Sequence, residues 1–407
     1  MKEPVKLSAT QRWVIFILAV TQFTVILDFM IMSPLGDFMM KSLSMKPAAF
    51  GIAVSAYAFS AGLSGLLTAG FADRFDRKKL LVFFYTGFIV GTIFCGLAHN
   101  YVELVAARIF TGLFGGVIGS ISLAIISDLF TLQQRGRVMG FVQMGFGASQ
   151  VLGVPIGLYV ANLWDWEAAF LLVAAIAIFS AILLVSKLPP VRAHLELQQD
   201  KSAFKHLWHT LRKRDYRIGF MAMAMLSVGG FMMFPFGSAF AVNNIGVSAE
   251  QLPQLFFVSG VSSLVIMPVI GKLSDTVSKF KIFTVACVWM IIMVLVYTNM
   301  GISEFWLVIV LNILMMMGIM SRMIPATALV SGVPDMEDRG AFMSVNASMQ
   351  QIAGGVAAVV AGLIVVQKHK SAPLEHYDIV GYLVVGITLL SIYVMHRVSK
   401  IVKAKAQ

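Results

Sequence analysis

Apolar residues in this chain come in long unbroken blocks, not in the alternations that mark half-buried helices or strands. Twelve blocks, at 12–35, 48–71, 80–98, 102–128, 138–161, 167–187, 216–241, 251–274, 281–299, 303–328, 340–365 and 379–398, are separated by mostly short polar segments. Each approaches the ~20 residues a helix needs to cross ~30 Å of hydrocarbon. Buried helices of soluble domains are shorter and amphipathic. The pattern therefore predicts an all-α polytopic membrane protein with twelve transmembrane helices. The interval 188–215 differs from the other connections in being longer, basic and marked by Pro189-Pro190. It divides the chain into a six-span unit (1–187), a linker (188–215) and a second six-span unit (216–407).

Composition agrees. Of 407 residues, 58% are hydrophobic and only 13% charged, against about 25% charged in soluble domains. The net charge of +11 would suggest a nucleic-acid binder in a soluble chain. Here the bases sit between apolar blocks, which points instead to loops beside an anionic lipid leaflet and to no nucleic acid. With the N-terminus inside, 25 of the 31 Lys and Arg residues fall in cytoplasmic segments. Lys41, Lys46, Lys368 and Lys370 fall outside, and Arg108 and Arg322 lie within spans. Lysine and arginine bias sets orientation, so both termini are expected in the cytoplasm of a bacterial cell, with the chain in the inner membrane. The first block is too long for a signal peptide and lacks a small-residue cleavage site.

The two units resemble each other. Met32-Ser33-Pro34-Leu35-Gly36 ends the first span, and Met233-Phe234-Pro235-Phe236-Gly237 stands 201 residues later. Asp73 is matched by Asp275 after 202 residues, and Arg135-Gly136 by Arg339-Gly340 after 204. Three landmarks at one offset imply a parallel repeat about an axis along the membrane normal. Such repeats place a substrate site near the midplane, between the halves.

The loop after the second span reads Ala69-Gly70-Phe71-Ala72-Asp73-Arg74-Phe75-Asp76-Arg77-Lys78-Lys79, and its repeat opens Gly271-Lys272-Leu273-Ser274-Asp275. This resembles the signature loop of the major facilitator superfamily, with Ala69 and Asp76 standing where that signature has glycine. The resemblance implies the major facilitator fold, two pseudo-symmetric six-helix bundles, working as a monomer without cofactor or metal. It also implies an inner-gate latch of Asp73, Arg74, Arg77 and Asp128, with Asp73 facing the start of the eleventh span near Gly340. An acid at its own helix's C-terminus is unfavourable unless it faces another helix's N-terminus.

In the fifth span, Gly145, Ser149, Gly153 and Gly157 recur every fourth residue, and Pro155 interrupts the helix. Small residues at this spacing make a smooth stripe that admits a neighbouring backbone, and Pro155 predicts a bend. The pattern resembles the fifth-span signature of superfamily antiporters, chiefly drug exporters, although Val154 precedes the proline and Gly157 is followed by leucine. Arg108 opens the fourth span and is followed by Gly112, Gly115, Gly116 and Gly119, as in the superfamily's arginine-glycine motif.

Asp28 is the only acid well inside a span and shares a helix face with Thr21 and Thr24. At 1.5 Å per residue, Asp28 lies roughly 12 Å and Arg108 roughly 9 Å below the outer ends of their spans. In the superfamily both spans line the central cavity. Intramembrane acids mark function by default, so Asp28 is expected to carry the coupling proton and Arg108 to modulate it. Two other readings stay open: a fixed ion pair, and direct binding of a cationic substrate by Asp28. Arg322, near the inner end of the tenth span, either snorkels to the cytoplasm or meets an anionic substrate. Gln150, Phe231, Phe234, Asn243, Asn312 and Gln350 are candidates for the cavity wall.

Cys95 and Cys287 fall at different depths, so no disulfide is expected, and no histidine has ligand spacing on a helix face. A membrane-embedded enzyme is disfavoured because no clustered catalytic set exists. The 26 methionines and 31 phenylalanines suit a cavity that accepts varied apolar shapes. The expected activity is proton-coupled export of small lipophilic compounds or drugs by alternating access. The alternative is transport, possibly import, of a defined metabolite such as a sugar, organic acid or siderophore.

Overall fold

The computed structural model describes residues 8–68, 74–192, 195, 203–335 and 338–406. Among them, twelve helices are long and apolar enough to cross a membrane, one in each expected block. The first half contains α1 (Ala9–Ile31), the short α2 (Gly36–Ser42), α3 (Pro47–Thr68), α4 (Arg77–Gly96), α5 (Tyr101–Leu129), α6 (Leu132–Ala148), α7 (Val154–Leu163) and α8 (Trp166–Lys187). After α9 (Ala203–Arg212), the second half contains α10 (Arg214–Phe231), α11 (Gly237–Phe240), α12 (Leu252–Thr276), α13 (Lys279–Thr298), α14 (Phe305–Val330), α15 (Arg339–Ile364) and α16 (Tyr377–Ala406). α6–α7 form the fifth span and α10–α11 the seventh. α1 begins and α16 ends at one face, here the basic end; the opposite face is the distal end.

Helices are the only open-chain solution in hydrocarbon, because every backbone group is bonded within its own segment. Their polar ends are closed by side chains: Ser8 and Gln11 form a reciprocal cap on α1, and Asn100 accepts from Glu103 N at 3.0 Å on α5. Leu63, Phe83, Phe179, Ile182, Val285 and Leu363 are exposed on the outside of the bundle, where acyl chains replace water.

The repeat is visible in packing. α1 packs on α6 and α8, α3 on α5, and α4 on α5 and α8. In the second half α10 packs on α15 and α16, α12 on α14, and α13 on α14 and α16, the same pattern. The halves meet along two seams, α3 with α15 and α7 with α12. The two copies of the repeated Pro-Gly segment meet each other near the axis. Ser33 Oγ donates to the Phe234 carbonyl, and Ser238 Oγ donates to the Ser33 carbonyl at 2.7 Å. Asn243 Nδ2 donates to Asp37 Oδ1 at 2.6 Å beside them, and Lys41 Nζ holds the other oxygen at 2.7 Å. Asn162 Nδ2 reaches the Ala249 carbonyl at 3.0 Å. The molecule is therefore shut at the distal end. On the α6–α12 side Gly147 still meets Leu264, but nearer the basic end Gly140 and Gly271 face no atom within 4 Å.

Three features differ from the sequence pattern. The first span stops at Ile31, not 35, because the chain turns at Pro34 and restarts as α2. The 188–215 interval carries the amphipathic α9, with the Arg212 guanidinium 4.9 Å from the centre of the Trp208 ring; an interfacial helix has this make-up. The expected bend at Pro155 is a π-turn over Ser149–Gly153, which absorbs the hydrogen bond that proline cannot make.

At the basic end, loop and helix ends of the second half are tied by charge. Lys213 Nζ meets Asp338 at 2.6 Å and Lys405 Nζ meets Asp335 at 2.6 Å. Hydrogen bonds from Lys405 and Tyr216 hold the Asp335 carboxyl down at about 2. A depressed carboxylate contributes above its unfolded pKa, so this tie is complete at neutral pH and fades only as pH falls towards about 2.

The stripe of the fifth span packs on α1. A Cβ at Gly145 would stand 2.9 Å from the Ala19 carbonyl oxygen and 3.0 Å from Phe23 N; one at Gly153 would overlap Leu27, and one at Gly157 would overlap Ile31. Ser149 Oγ donates to the Phe23 carbonyl at 2.9 Å. Because the obstacle at Gly145 is backbone, Gly145→Ala is expected to cost about 1–3 kcal/mol by overpacking and to lower the melting temperature of the purified protein. Gly140→Ala, facing open space, serves as the control and is expected to leave that temperature unchanged or raise it slightly.

Candidate functional site

Asp28 lies in the last turn of α1 and is wholly buried. Its Oδ2 accepts from Arg108 Nη1 of α5 at 2.7 Å, and its Oδ1 accepts from Thr92 Oγ1 of α4 at 3.0 Å. The Arg108 guanidinium carbon stands 4.5 Å from the centre of the Tyr57 ring and 5.9 Å from that of Phe170. Cation–π attraction of this kind strengthens when water is excluded. Arg108 Nε has no hydrogen-bond partner.

Close helix approach makes this burial possible. A Cβ at Gly112 would fall 2.5 Å from the Tyr57 carbonyl oxygen, and one at Gly116 would fall 2.5 Å from Ala61 Cα. The glycine row after Arg108 therefore seats α3 directly on α5 and lowers Tyr57 over the guanidinium. Thr24 Oγ1 pairs with Tyr85 OH at 2.8 Å, and Thr21 Oγ1 with Ser180 Oγ at 3.2 Å. The Thr21, Thr24 and Asp28 face is thus turned into the first bundle, not towards the central cavity that the family resemblance implies. The neighbouring Phe29 faces the seam instead, 5.3 Å from the Tyr57 ring and 5.6 Å from the Phe231 ring of the second half. In this conformation the pair is sealed behind an aromatic layer.

Of the latch residues, Arg77 Nε meets Asp128 Oδ2 at 2.5 Å, joining α4 to the end of α5. Arg74 is exposed, and Asp73 lies outside the described residues. Asp76 takes a role the sequence did not suggest. It caps α4 through Lys78 N at 2.9 Å and holds Arg192 Nε at 2.7 Å. Burial pushes its carboxyl up, but Arg192 and the backbone N–H groups of Val191, Lys78 and Lys79 outweigh this and hold it below the usual carboxylate range.

The candidate wall residues separate into groups. Phe231 and Phe234 are half-buried neighbours at 6.1 Å beside Phe29. Gln150 sits in the π-turn, where its backbone lies against Gly260 of α12 and its Oε1 is buried without a partner. Asn312 Nδ2 donates to the Val308 carbonyl at 3.2 Å, and Gln350 Nε2 to that of Asn346 at 3.3 Å. Asn243 belongs to the distal lock, not to a midplane wall. Tyr57, Thr92 and Asp37 were missed: tyrosine or threonine in an apolar block carries no signal alone, and Asp37 lay just past the expected span. Arg322 does not snorkel; it is 4% exposed. A cleft of about 570 Å³ between α10 and α16 at the basic end is lined by Arg214, Asp215, His396 and Arg397 among others and shares no residue with the buried pair.

Comparison with known proteins fits this architecture. An uncharacterized MFS-type transporter, YbcL, of Bacillus subtilis (strain 168) is 25% identical over 387 residues, 94% of this chain and 95% of that one. A probable sugar efflux transporter of Helicobacter acinonychis (strain Sheeba) is 24% identical over 65% of this chain and 66% of its own length. Among solved structures, a bacterial homolog of the human lysosomal transporter Spinster, inward-facing and occupied, superposes with a TM-score of 0.78 at 14% identity, covering 97% of this chain and 98% of that one. A D-xylose-proton symporter does so with a TM-score of 0.74 at 16% identity, covering 93% and 97%. The sequence profile of the Major Facilitator Superfamily matches residues 18–396, and with its twelve-helix bundle the chain belongs to that superfamily of membrane transporters, which are not enzymes.

Proposed function

We propose that the chain is a proton-coupled secondary transporter that exports small lipophilic compounds, with Asp28 as the proton carrier and the basic end facing the cytoplasm. The observation that carries this is the sealed Asp28–Arg108 pair, one residue from the seam at Phe29. Distal closure is made of hydrogen bonds to backbone carbonyls of Ser33, Phe234 and Ala249 and of the Asn243–Asp37 contact. Water can replace each of these when the halves rock apart. That motion withdraws Phe231 from Phe29 and opens a route to Asp28 from the distal side, where the proton load is high. A proton moving inward supplies roughly 2.3 kcal/mol per 100 mV, plus the pH gradient. Protonation releases Arg108 to Tyr57, and reclosure returns the pair to the dry state. Arg77 and Asp128, with Asp73 and Arg74 nearby in sequence, serve as the latch at the basic end.

A second reading, export of a sugar, is favoured by the sugar efflux relatives and by unpartnered amide oxygens on Gln150 and Gln351, which suit hydroxyl donors. Deletion and overexpression separate the two. Resistance to varied lipophilic toxicants that rises and falls with expression supports the first reading; a flat panel with altered sugar efflux supports the second.

Breaking a buried pair leaves an uncompensated charge, at about 3–5 kcal/mol. Asp28→Ala is therefore expected to lower the melting temperature, and Asp28→Ala combined with Arg108→Met to recover most of the loss. In inverted vesicles, Asp28→Asn is expected to abolish the dependence of transport on the pH gradient. Should transport by Asp28→Asn keep the wild-type pH dependence, the pair is a structural staple and the proton travels elsewhere.

A further inference from the structure

The second half carries a buried cation apart from the Asp28–Arg108 pair. Arg322 of α14 is 4% exposed, and its Nε is buried without a partner. Among the described residues no hydrogen bond or ion pair joins it to a protein group; the Cys287 thiol is the titratable neighbour. α14 runs from the distal to the basic end, and helix side chains tilt towards the helix N-terminus. The guanidinium is therefore carried away from the nearer membrane surface, towards the middle of the bundle. There it lies against α10: a Cβ built at Gly229 would stand 3.7 Å from Nη1 and 4.0 Å from Nη2. At Gly230 the corresponding space holds no atom within 4 Å.

The repeat gives this contact its meaning. The first and seventh spans are related by an offset of 201, which maps Asp28 onto Gly229. In the first half the acid is built in and Arg108 pairs with it. In the second half the matching position has no side chain, and a guanidinium from the matching span reaches that same spot. A buried, unpaired cation is costly, and Arg–carboxylate contacts are bidentate and directional. Val228 and Phe231 flank the glycine pair on α10, and Ile319 and Met315 stand one and two turns before Arg322 on α14; all four are apolar and half-buried.

We propose that Arg322, beside the Gly229–Gly230 face of α10, is a subsite for the carboxylate of a lipophilic substrate. The substrate supplies the acid that the repeat omits, and its apolar body lies along Phe231 and Met315. This deepens, and rests on, the reading of the chain as a carrier of lipophilic compounds.

The test uses the full-length protein in nanodiscs, with 1-naphthoate and its uncharged analogue 1-naphthamide as probes and binding followed by tryptophan fluorescence. Wild type is expected to bind the acid at least tenfold more tightly than the amide. Arg322→Gln is expected to remove that preference while leaving amide binding unchanged, and Arg322→Lys to keep part of it. Gly229→Asp, which restores the repeat's own acid, is expected to displace 1-naphthoate and spare 1-naphthamide. Equal wild-type responses to acid and amide, including no response to either, overturn the proposal. So does a folded Arg322→Gln or Gly229→Asp protein that binds 1-naphthoate as wild type does. Failure of the export reading shows separately, as an acid preference that persists in nanodiscs while the toxicant panel stays flat.

Discussion

A carboxylate and a guanidinium held 2.7 Å apart with water excluded govern how the first half can behave. Bringing each charge out of water costs several kcal/mol, and the attraction between them offsets this only when the remaining polar atoms are also met. Thr92 meets the second carboxylate oxygen and the Tyr57 ring faces the guanidinium. That demand reaches three helices beyond the pair itself. α3 must approach α5 closely enough to place Tyr57, and only the glycine row permits it. α4 must present Thr92, and α8 must present Phe170. The first bundle is therefore stiff around its charges, and shape change is left to the seams.

The distal junction is built differently from the bundle interiors. Where α1 meets α6 and α7, small residues interlock with Ala19, Phe23, Leu27 and Ile31, a dry fit that resists sliding. At the distal junction the ties are hydroxyl and amide groups donating to backbone carbonyls or to one carboxylate. Such bonds are worth only about 0.5–1.5 kcal/mol net when water can take their place. The π-turn at Ser149–Gly153 stands between the two regimes, with one face on α1 and the other against Gly260 of α12. Across the α3–α15 seam the fit is also close, with Gly51 against the Ala358 carbonyl and Gly362 against that of Pro47, so the water-exchangeable ties are those of the distal junction, where rocking of the halves would begin.

How far the sequence reached depended on whether the signal was periodic or relational. Span number is written in period, and the structure keeps it; the repeat and the small-residue stripe are written in offset and spacing. The match of Asp28 to Arg108 followed from depth counting along two spans, since charges in oil must find each other. The direction in which that pair faces did not follow. A helix face is defined by its neighbours, and nothing in Thr21 or Thr24 says that Tyr85 and Ser180 stand opposite. The same limit hid Tyr57, whose role exists only because Gly112 and Gly116 admit its helix. The short α2 was lost because Pro34 reads equally as a bend or a stop, and Arg322 stayed open between the cytoplasm and an anionic substrate because snorkelling depends on which way its helix points the side chain.

Symmetry of backbone and asymmetry of charge together shape what the carrier can do. The two halves share one packing pattern, so rocking exchanges nearly equivalent seams at small cost. Their buried charges are not equivalent: among the described residues the first half holds a neutral pair, the second a guanidinium without an acid. On the proposed reading an empty carrier would move with that charge in a medium of low dielectric, where charge is disfavoured. A bound carboxylate would cancel it, and the loaded second half would then resemble the first in both shape and charge. On the proposed reading, occupancy of the Arg322 site would thereby ease closure of the basic end over the substrate, while Asp28, sealed until the distal end opens, would set the return. In the proposed arrangement two sites on opposite sides of one axis, each a carboxylate–arginine pair when filled, would divide the cycle between cargo and proton.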